Sequence, residues 1–332
     1  MPKGIRIHTL GRPEVLRWED INVPAPSAGE LQVRHTAIGL NYIDIYHRTG
    51  VYPIKLPAII GSEAVGIVEA IGPGISGFKP GDRIAYAPLI GADCEIRNLP
   101  AERAILVPVG LSDEAVAGMM LKGMTARALL RRAYPVRKGD TVLVHAAAGG
   151  VGLILCQWAK SLGATVLGTV GSEEKAALAA ANGCSHTILY RKADFVAAVK
   201  DITKGEGVQA VFDGVGKDTF VKSLQCLAPF GTIVSFGQAS GHIEPFDILL
   251  LREKAVYATR ASLAIHVTKR ADLLASANDL FDVVKRGAVK IAVRRRYALA
   301  DAARAHRDLE GRNTEGSSVL IPNAKPAPGK LH

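Results

Sequence analysis

The segment His145-Ala146-Ala147-Ala148-Gly149-Gly150-Val151-Gly152 follows an apolar, β-branched run and opens a stretch with helical periodicity. A glycine-rich turn between strand and helix is the setting that a dinucleotide fingerprint requires. Gly149 lets a backbone approach a pyrophosphate, and Gly152 lets the helix pack closely on the strand. The helix N-terminus then offers N–H groups and a positive dipole end to that anion. Ala147 stands where the strict pattern has its first glycine, so the motif alone leaves open a tight turn with no ligand.

The residues behind the turn narrow the choice. Strands are expected at Thr141–Ala147, Thr165–Val170, His186–Tyr190, Val208–Asp213 and Gly231–Phe236, with helices starting near Gly150, Glu173, Phe195 and Thr219. In the first helix Val151, Ile154, Leu155, Trp158 and Leu162 form the stripe that faces a sheet. Short apolar strands joined by helices mean a parallel sheet covered on both faces.

The first third reads differently. Ile5–His8, Leu31–Arg34, Gly66–Glu69 and Arg83–Tyr86 are strand-like, and Pro24–Ser27, Gly72–Gly74 and Pro80–Asp82 are turns. That pattern predicts a mainly antiparallel β domain. After Thr268 the chain is helical again, Ser318–Ile321 is expected as a last strand, and the tail 323–332 is expected to be disordered. With 332 residues, two domains are the default. The fold class is therefore α/β, a doubly wound parallel sheet plus a mainly antiparallel β domain.

The second strand of the parallel sheet bears on which nicotinamide binds. An NADH site places an acid at that strand's tip for the ribose 2′-hydroxyl. Here the tip is Val170-Gly171-Ser172, and Lys175 follows in the next helix. With Ser172 as N-cap, Lys175 sits where a capping box wants Glu or Gln, and a cation there opposes the helix dipole. A 2′-phosphate would offset that, which points to NADPH. The plain alternative is a surface pair between Lys175 and Glu173 or Glu174.

The net charge of +10 fits solvated surface cations together with a phosphate-bearing ligand. Nucleic-acid binding is not expected, because basic residues are dispersed apart from Arg294-Arg295-Arg296 and few aromatics accompany them. Cys94, Cys156, Cys184 and Cys226 are scattered and offer neither a zinc clip nor a disulfide framework. No apolar run reaches membrane-span length and the chain opens without a signal-like segment, so a cytoplasmic protein is expected.

Gly11–Leu16, Gly39-Leu40-Asn41-Tyr42-Ile43-Asp44, Gly61-Ser62-Glu63-Ala64-Val65-Gly66, Lys122–Thr125, His145–Gly152, Gly168–Gly171 and Val234–Gly237 extend the argument to almost the whole chain. Together they resemble the zinc-free quinone oxidoreductase (zeta-crystallin-like) branch of the medium-chain dehydrogenase/reductases. The resemblance implies a GroES-like substrate domain over 1–123, a Rossmann domain over 124–262 and a return to the substrate domain over 263–322. It also implies a six-stranded Rossmann sheet, a homodimer and an interdomain cleft. Zinc-dependent relatives hold the metal through a Cys near position 41 and a His at position 62. Asn41 and Ser62 stand there, and neither is a good zinc ligand, so no metal is expected.

The activity implied is hydride transfer from NADPH to a quinone, with reduction of α,β-unsaturated ketones or aldehydes as the alternative. An RNA-binding or crystallin-like structural role is the alternative of another class. By resemblance Asn41, Asp44, Tyr46 and Tyr52 surround the nicotinamide, and a tyrosine could donate to the developing quinol oxygen. Thr125, Gly149, Gly150, Val151 and Gly152 would meet the pyrophosphate or nicotinamide side. Gly171, Ser172, Lys175, Tyr190 and Arg312 would meet the adenosine 2′-phosphate end. Gly214, Phe236, Gly237, Gln238 and Arg260 would lie by the nicotinamide ribose, although Arg260 also suits a sheet edge at a dimer seam. His145 reads as structural. Arg127, Gly214 and the pair Asp93-Cys94 depart from the bacterial pattern, the last replacing Tyr-Ser, and they bear on the shape of the acceptor pocket.

Overall fold

Alternation along residues 30–34 buries Leu31 and Val33 and turns Gln32 and Arg34 outward, so this stretch forms a strand buried on one face. The structure is a computed structural model in which residues Met1–Lys325 are described. The expected disordered tail lies outside the described residues past Lys325.

The N-terminal third forms β1 (Lys3–Ile7), β2 (Arg17–Asp20), β3 (Glu30–Leu40), α1 (Tyr42–Thr49), β4 (Ala58–Ile59), β5 (Ala64–Ile71), β6 (Arg83–Tyr86), β7 (Ile96–Pro100) and β8 (Ile105–Leu106). Helices α2 (Asp113–Ala117) and α3 (Met120–Ala128) follow. Strand and helix then alternate through β9 (Thr141–Val144), α4 (Gly150–Ser161), β10 (Thr165–Val170), α5 (Glu173–Ala181), β11 (His186–Leu189), α6 (Phe195–Ile202), β12 (Val208–Asp213), α7 (Phe220–Ser223), β13 (Leu227–Ser235) and β14 (Tyr257–Arg260). The chain continues with α8 (Leu263–His266), α9 (Arg270–Lys285), β15 (Val293–Ala298), α10 (Ala302–Glu310) and β16 (Ser317–Ile321).

These elements make two units. The first holds Met1–Leu121, Val267–Ala277 and the described residues from Ile291 on. Its larger sheet runs β15-β16-β3-β5-β6-β8, with β7 on the same long β3. The β15–β16 pair is parallel and every other pair is antiparallel. A second sheet, β2-β1-β4, is antiparallel. Ile5, Ile7, Leu31, Val33, Ile84 and Leu320 fill the core, each buried side chain contributing about 1.5–3 kcal/mol.

The second unit holds Lys122–His266 and Asn278–Lys290. Its six strands are all parallel in the order β11-β10-β9-β12-β13-β14, the doubly wound Rossmann arrangement. Part of the segment expected to return to the substrate domain belongs here. Leu280 lies where a side chain on Gly123 would be, and Asp279 pairs with Arg127 at 2.8 Å.

Of the expected strands, β6, β10 and β12 keep their limits and the others shift, two of them for a plain local reason. β9 stops at Val144 because the backbone turns at Ala146, whose φ is +54°. β13 starts earlier, at Leu227, which pairs with Val208 ahead of a register shift.

Candidate active site

Strand order reverses between β9 and β12, and in open α/β sheets ligands bind beyond the carboxyl ends at such a point. His145, just past β9, is buried and takes part in hydrogen bonds to Thr169 Oγ1 at 2.9 Å and Ser223 Oγ at 2.8 Å. Phe195 meets its ring edge-on. Burial pushes its pKa down, so the ring is neutral and ties β9 to β10 and α7.

The turn that follows is built for close approach. A side chain on Gly152 would run into the Ala146 and Ala147 backbone, so the α4 helix sits directly on the strand end. Gly149 is the N-cap of α4 and has no side chain to satisfy the first-turn N–H groups. Ala147, in place of the fingerprint's first glycine, is accommodated from the neighbouring strand. A methyl on Gly168 would fall 2.6 Å from Ala147 Cβ, so the absent side chain on β10 makes room for the one on the turn.

At the β10 tip Ser172 caps α5, accepting from the Lys175 N–H at 3.3 Å. A hydrogen bond to the Ser172 side chain, with backbone contacts, lowers the pKa of Glu174. Glu173 pairs with Lys192 at 2.7 Å, so of the two acids proposed as surface partners of Lys175, this one is engaged elsewhere. A side chain on Gly171 would lie 3.0 Å from Tyr190 Oη and 3.6 Å from Arg191 Nε. Gly171, Ser172, Lys175 and Tyr190 are thus gathered at one strand end. Arg191, which sequence reasoning passed over, joins them; its only signal was a cation next to an expected adenine neighbour.

At the ends of β12 and β13, Gly214, Phe236 and Gly237 interlock. A side chain on Gly214 would reach the Phe236 ring at 2.9 Å, and one on Gly237 would reach Gly214 O at 2.5 Å. The absent side chain at Gly214 therefore leaves room for Phe236. Gln238 lies against Gly216 in the same turn. Asp213, also missed, accepts from the N–H groups of Val215 at 2.7 Å and Gly216 at 3.1 Å and from Thr219 Oγ1 at 2.9 Å, which fixes this loop. Arg260 donates to Ser235 Oγ at 2.8 Å and Gly237 O at 3.1 Å, so it braces the β13 end from the edge strand. Thr125 is half-buried on α3.

In the first unit, Asn41 opens α1. Its N–H donates to Asp44 Oδ2 at 2.8 Å, and its amide donates to Glu63 Oε1 at 2.8 Å and Gly39 O at 3.2 Å. Ser62 Oγ donates to Asp44 Oδ1 at 2.6 Å. Asp44 is fully buried with both oxygens in use, the geometry of a residue that positions Asn41 and Ser62. Glu63 was missed; it also accepts from the Leu121 N–H at 2.6 Å. Gly39 supplies the space for its carboxyl. Tyr46 stacks edge-on between Tyr42 and Tyr52, with ring centroids 5.5 and 5.2 Å apart. Arg312 belongs to this unit, where its charge acts on Tyr42, whose pKa burial raises. The positions of the zinc ligands in the metal-dependent relatives thus carry an amide and a hydroxyl committed to carboxylates of this chain.

Comparisons with known proteins show the family to which the chain belongs. Residues 27–201 match the family described as "Alcohol dehydrogenase GroES-like domain", and residues 150–276 match "Zinc-binding dehydrogenase". A quinone oxidoreductase of Pseudomonas aeruginosa is 46% identical over 97% of this chain and 100% of its own length. A 2-haloacrylate reductase of a Burkholderia species is 43% identical over 96% of this chain and 98% of its own. The structure of Escherichia coli quinone oxidoreductase complexed with NADPH superposes with a TM-score of 0.94 at 44% identity, covering 96% of this chain and 100% of that one. The chain belongs to the quinone oxidoreductase family of the medium-chain dehydrogenase/reductases, with a GroES-like domain and a Rossmann domain.

Proposed function

We infer that the protein is an NADPH-dependent quinone oxidoreductase that works without a metal ion. The observation that carries the cofactor assignment is the β10 tip, where Gly171, Ser172, Lys175, Tyr190 and Arg191 gather, the last residues of the strand include no acid for a ribose 2′-hydroxyl, and the following Glu173 and Glu174 engage Lys192 and Ser172. A 2′-phosphate suits that set. Gly149 leaves the α4 N-terminus uncapped by any side chain, which suits a pyrophosphate.

When bound, NADPH supplies the hydride. The chain's part is placement. Gly214, Phe236, Gly237 and Gln238 shape the support for the nicotinamide ribose, and Arg260 holds that turn from behind. Asn41, fixed by Glu63 and Asp44, presents a polar edge, and Tyr46 or Tyr52 donates a hydrogen bond to the acceptor oxygen. A quinone takes hydride without a Lewis acid because its oxyanion is delocalised. That matches a site whose residues 41 and 62 are poor zinc ligands.

The 2-haloacrylate reductase among the relatives favours a second reading, in which a conjugated C=C bond is reduced instead. Product analysis separates the two, a quinol against a saturated carbonyl compound. Replacing Lys175 by Ala is expected to cut the preference for NADPH over NADH by roughly tenfold or more, the worth of a hydrogen bond to a charged group. An unchanged ratio of kcat/KM values would remove Lys175 from the site.

The chain is also read as a cytoplasmic homodimer. Among the described residues no helix is long and apolar enough to cross a membrane. Strand β14 is exposed along its length at the sheet edge, in a unit that also exposes Phe230, Ile248, Leu249, Tyr257 and Ile265. An open edge strand in a unit with exposed apolar side chains supports pairing with a second copy.

A further inference from the structure

Tyr46 and Tyr52 sit on the last turn of α1 and the bend that follows it. Gly50 ends the helix with a φ of +81°, and a side chain there would lie 2.7 Å from Leu10 Cδ1. The chain then folds back, and the Tyr52 N–H donates to Tyr46 O at 3.1 Å. The two tyrosines thus share one backbone turn as well as an edge-on ring contact.

Between them in the chain stands Arg48, which is fully buried. Its Nε donates to Gly11 O at 3.0 Å, and the Gly11 N–H donates back to Arg48 O at 3.0 Å. Its two terminal nitrogens reach α10, one donating to His306 Nδ1 at 2.9 Å and the other pairing with Glu310. The segment after Gly11 is tied to the same helix again, by Arg307 Nε and Glu14 Oε1 at 3.1 Å. Tyr42, which meets Tyr46 edge-on, feels the charges of Arg312, Glu310 and Arg48. Burying a guanidinium is a costly way to fill space, because an apolar side chain of similar volume often packs as stably. The apolar chain lacks the planar fork, which fixes several acceptors in set directions at once. Here the fork joins the end of α1 to the Gly11 loop and to one face of α10.

We propose that Arg48 is a positioning residue for the acceptor, locking the backbone turn shared by Tyr46 and Tyr52 to Gly11 and α10. It acts through the two tyrosines, whose hydroxyls it holds in place for the oxygen that receives their hydrogen bond. A lysine at this position keeps the charge but meets the acceptors with a single nitrogen, so the turn is released while the helix remains.

The proposal rests on the quinone reductase reading, and the test separates the two. Full-length wild type, Arg48→Lys and Leu99→Ala are compared, Leu99 being a fully buried β7 residue of the same unit that takes no part in the Arg48 network. In Arg48→Lys, kcat/KM for a small quinone is expected to fall roughly tenfold or more, the scale of a small misplacement at a reacting centre. Its affinity for NADPH, measured by equilibrium dialysis, is expected to change by less than about twofold. Leu99→Ala is expected to lower the Tm and leave the quinone KM unchanged. A lower Tm in Arg48→Lys with the wild-type kcat/KM for quinone would overturn the proposal. Glu310→Ala, at the partly exposed end of the network, is expected to lower the same value by roughly threefold or more. Where Arg48→Lys does not fold, this variant decides, and an unchanged value overturns the proposal. Nitration of Tyr46 and Tyr52 by tetranitromethane, read by peptide mass spectrometry, needs no quinone and is expected to run faster in Arg48→Lys than in Leu99→Ala. Equal rates overturn the proposal even where quinone is reduced. Faster nitration in a protein that reduces no quinone keeps the hold of Arg48 on the tyrosines and defeats the functional reading.

Discussion

At Gly168 an added methyl would lie 2.6 Å from both Ala147 Cβ and Cys184 Sγ. Buried backbone-mounted atoms cannot yield cheaply at that distance, so Gly168→Ala is expected to destabilise the second unit by about 1–3 kcal/mol. Thermal denaturation would read this as a lower Tm, and affinity for NADPH should fall with it because the clash displaces the glycine turn. An unchanged Tm would mean that Ala147 is free to move. The same residues show what one sequence can and cannot reveal. The exchange of the first glycine for Ala147 looked like a weakened motif, because the compensating gap lies on the next strand. Asp213, Glu63 and Arg191 escaped notice for a related reason. Asp213 works on a loop that only the fold closes, Glu63 reaches Asn41 across 22 positions, and Arg191 meets Gly171 only once β10 and β11 pair.

Helices α1 and α10 are joined by a buried charge. Arg48, fully buried, donates to His306 Nδ1 at 2.9 Å and to Gly11 O at 3.0 Å, and pairs with Glu310. Because Arg48 only donates, Nδ1 must accept, and the proton of the neutral ring sits on Nε2. Burial, and then the Arg48 charge, pushes the His306 pKa down to about 3. The folded state thus resists a proton that the unfolded chain takes up near its ordinary value of about 6.5. Stability from this group is present above that value and drains away as pH falls toward 3. The Tm should drop across that window, and His306→Gln should make the drop shallower; equal slopes would assign the acid sensitivity to other groups. At the opposite extreme of exposure, β14 offers its edge to water. Replacing Ile265, 76% exposed, by Asp is expected to shift the protein toward monomer in sedimentation velocity, while a wild type already monomeric at micromolar concentration would remove the dimer from the account.

For the molecule as a whole, the legible part was the part written in local periodicity. The limits of β6, β10 and β12 coincide with the expected runs, and α4, α5 and α6 begin where the caps and glycines place them. The six-stranded order and the GroES-like unit came from resemblance, since pairing between distant strands leaves no local mark. The division of the C-terminal segment was not visible either. Helix α9 carries Leu273, in the first unit, and Leu280, in the second, on one continuous helical pattern. Spacing does not say which residues a helix face will meet. The site residues were read mostly by position, and their common purpose rests on the chemistry that the protein performs. That chemistry is tested most directly by following NADPH oxidation with a panel of small quinones after exhaustive chelation, with NADH run in parallel. Turnover that survives chelation and prefers NADPH is the predicted result, and NADPH bound without any quinone turnover would contradict it.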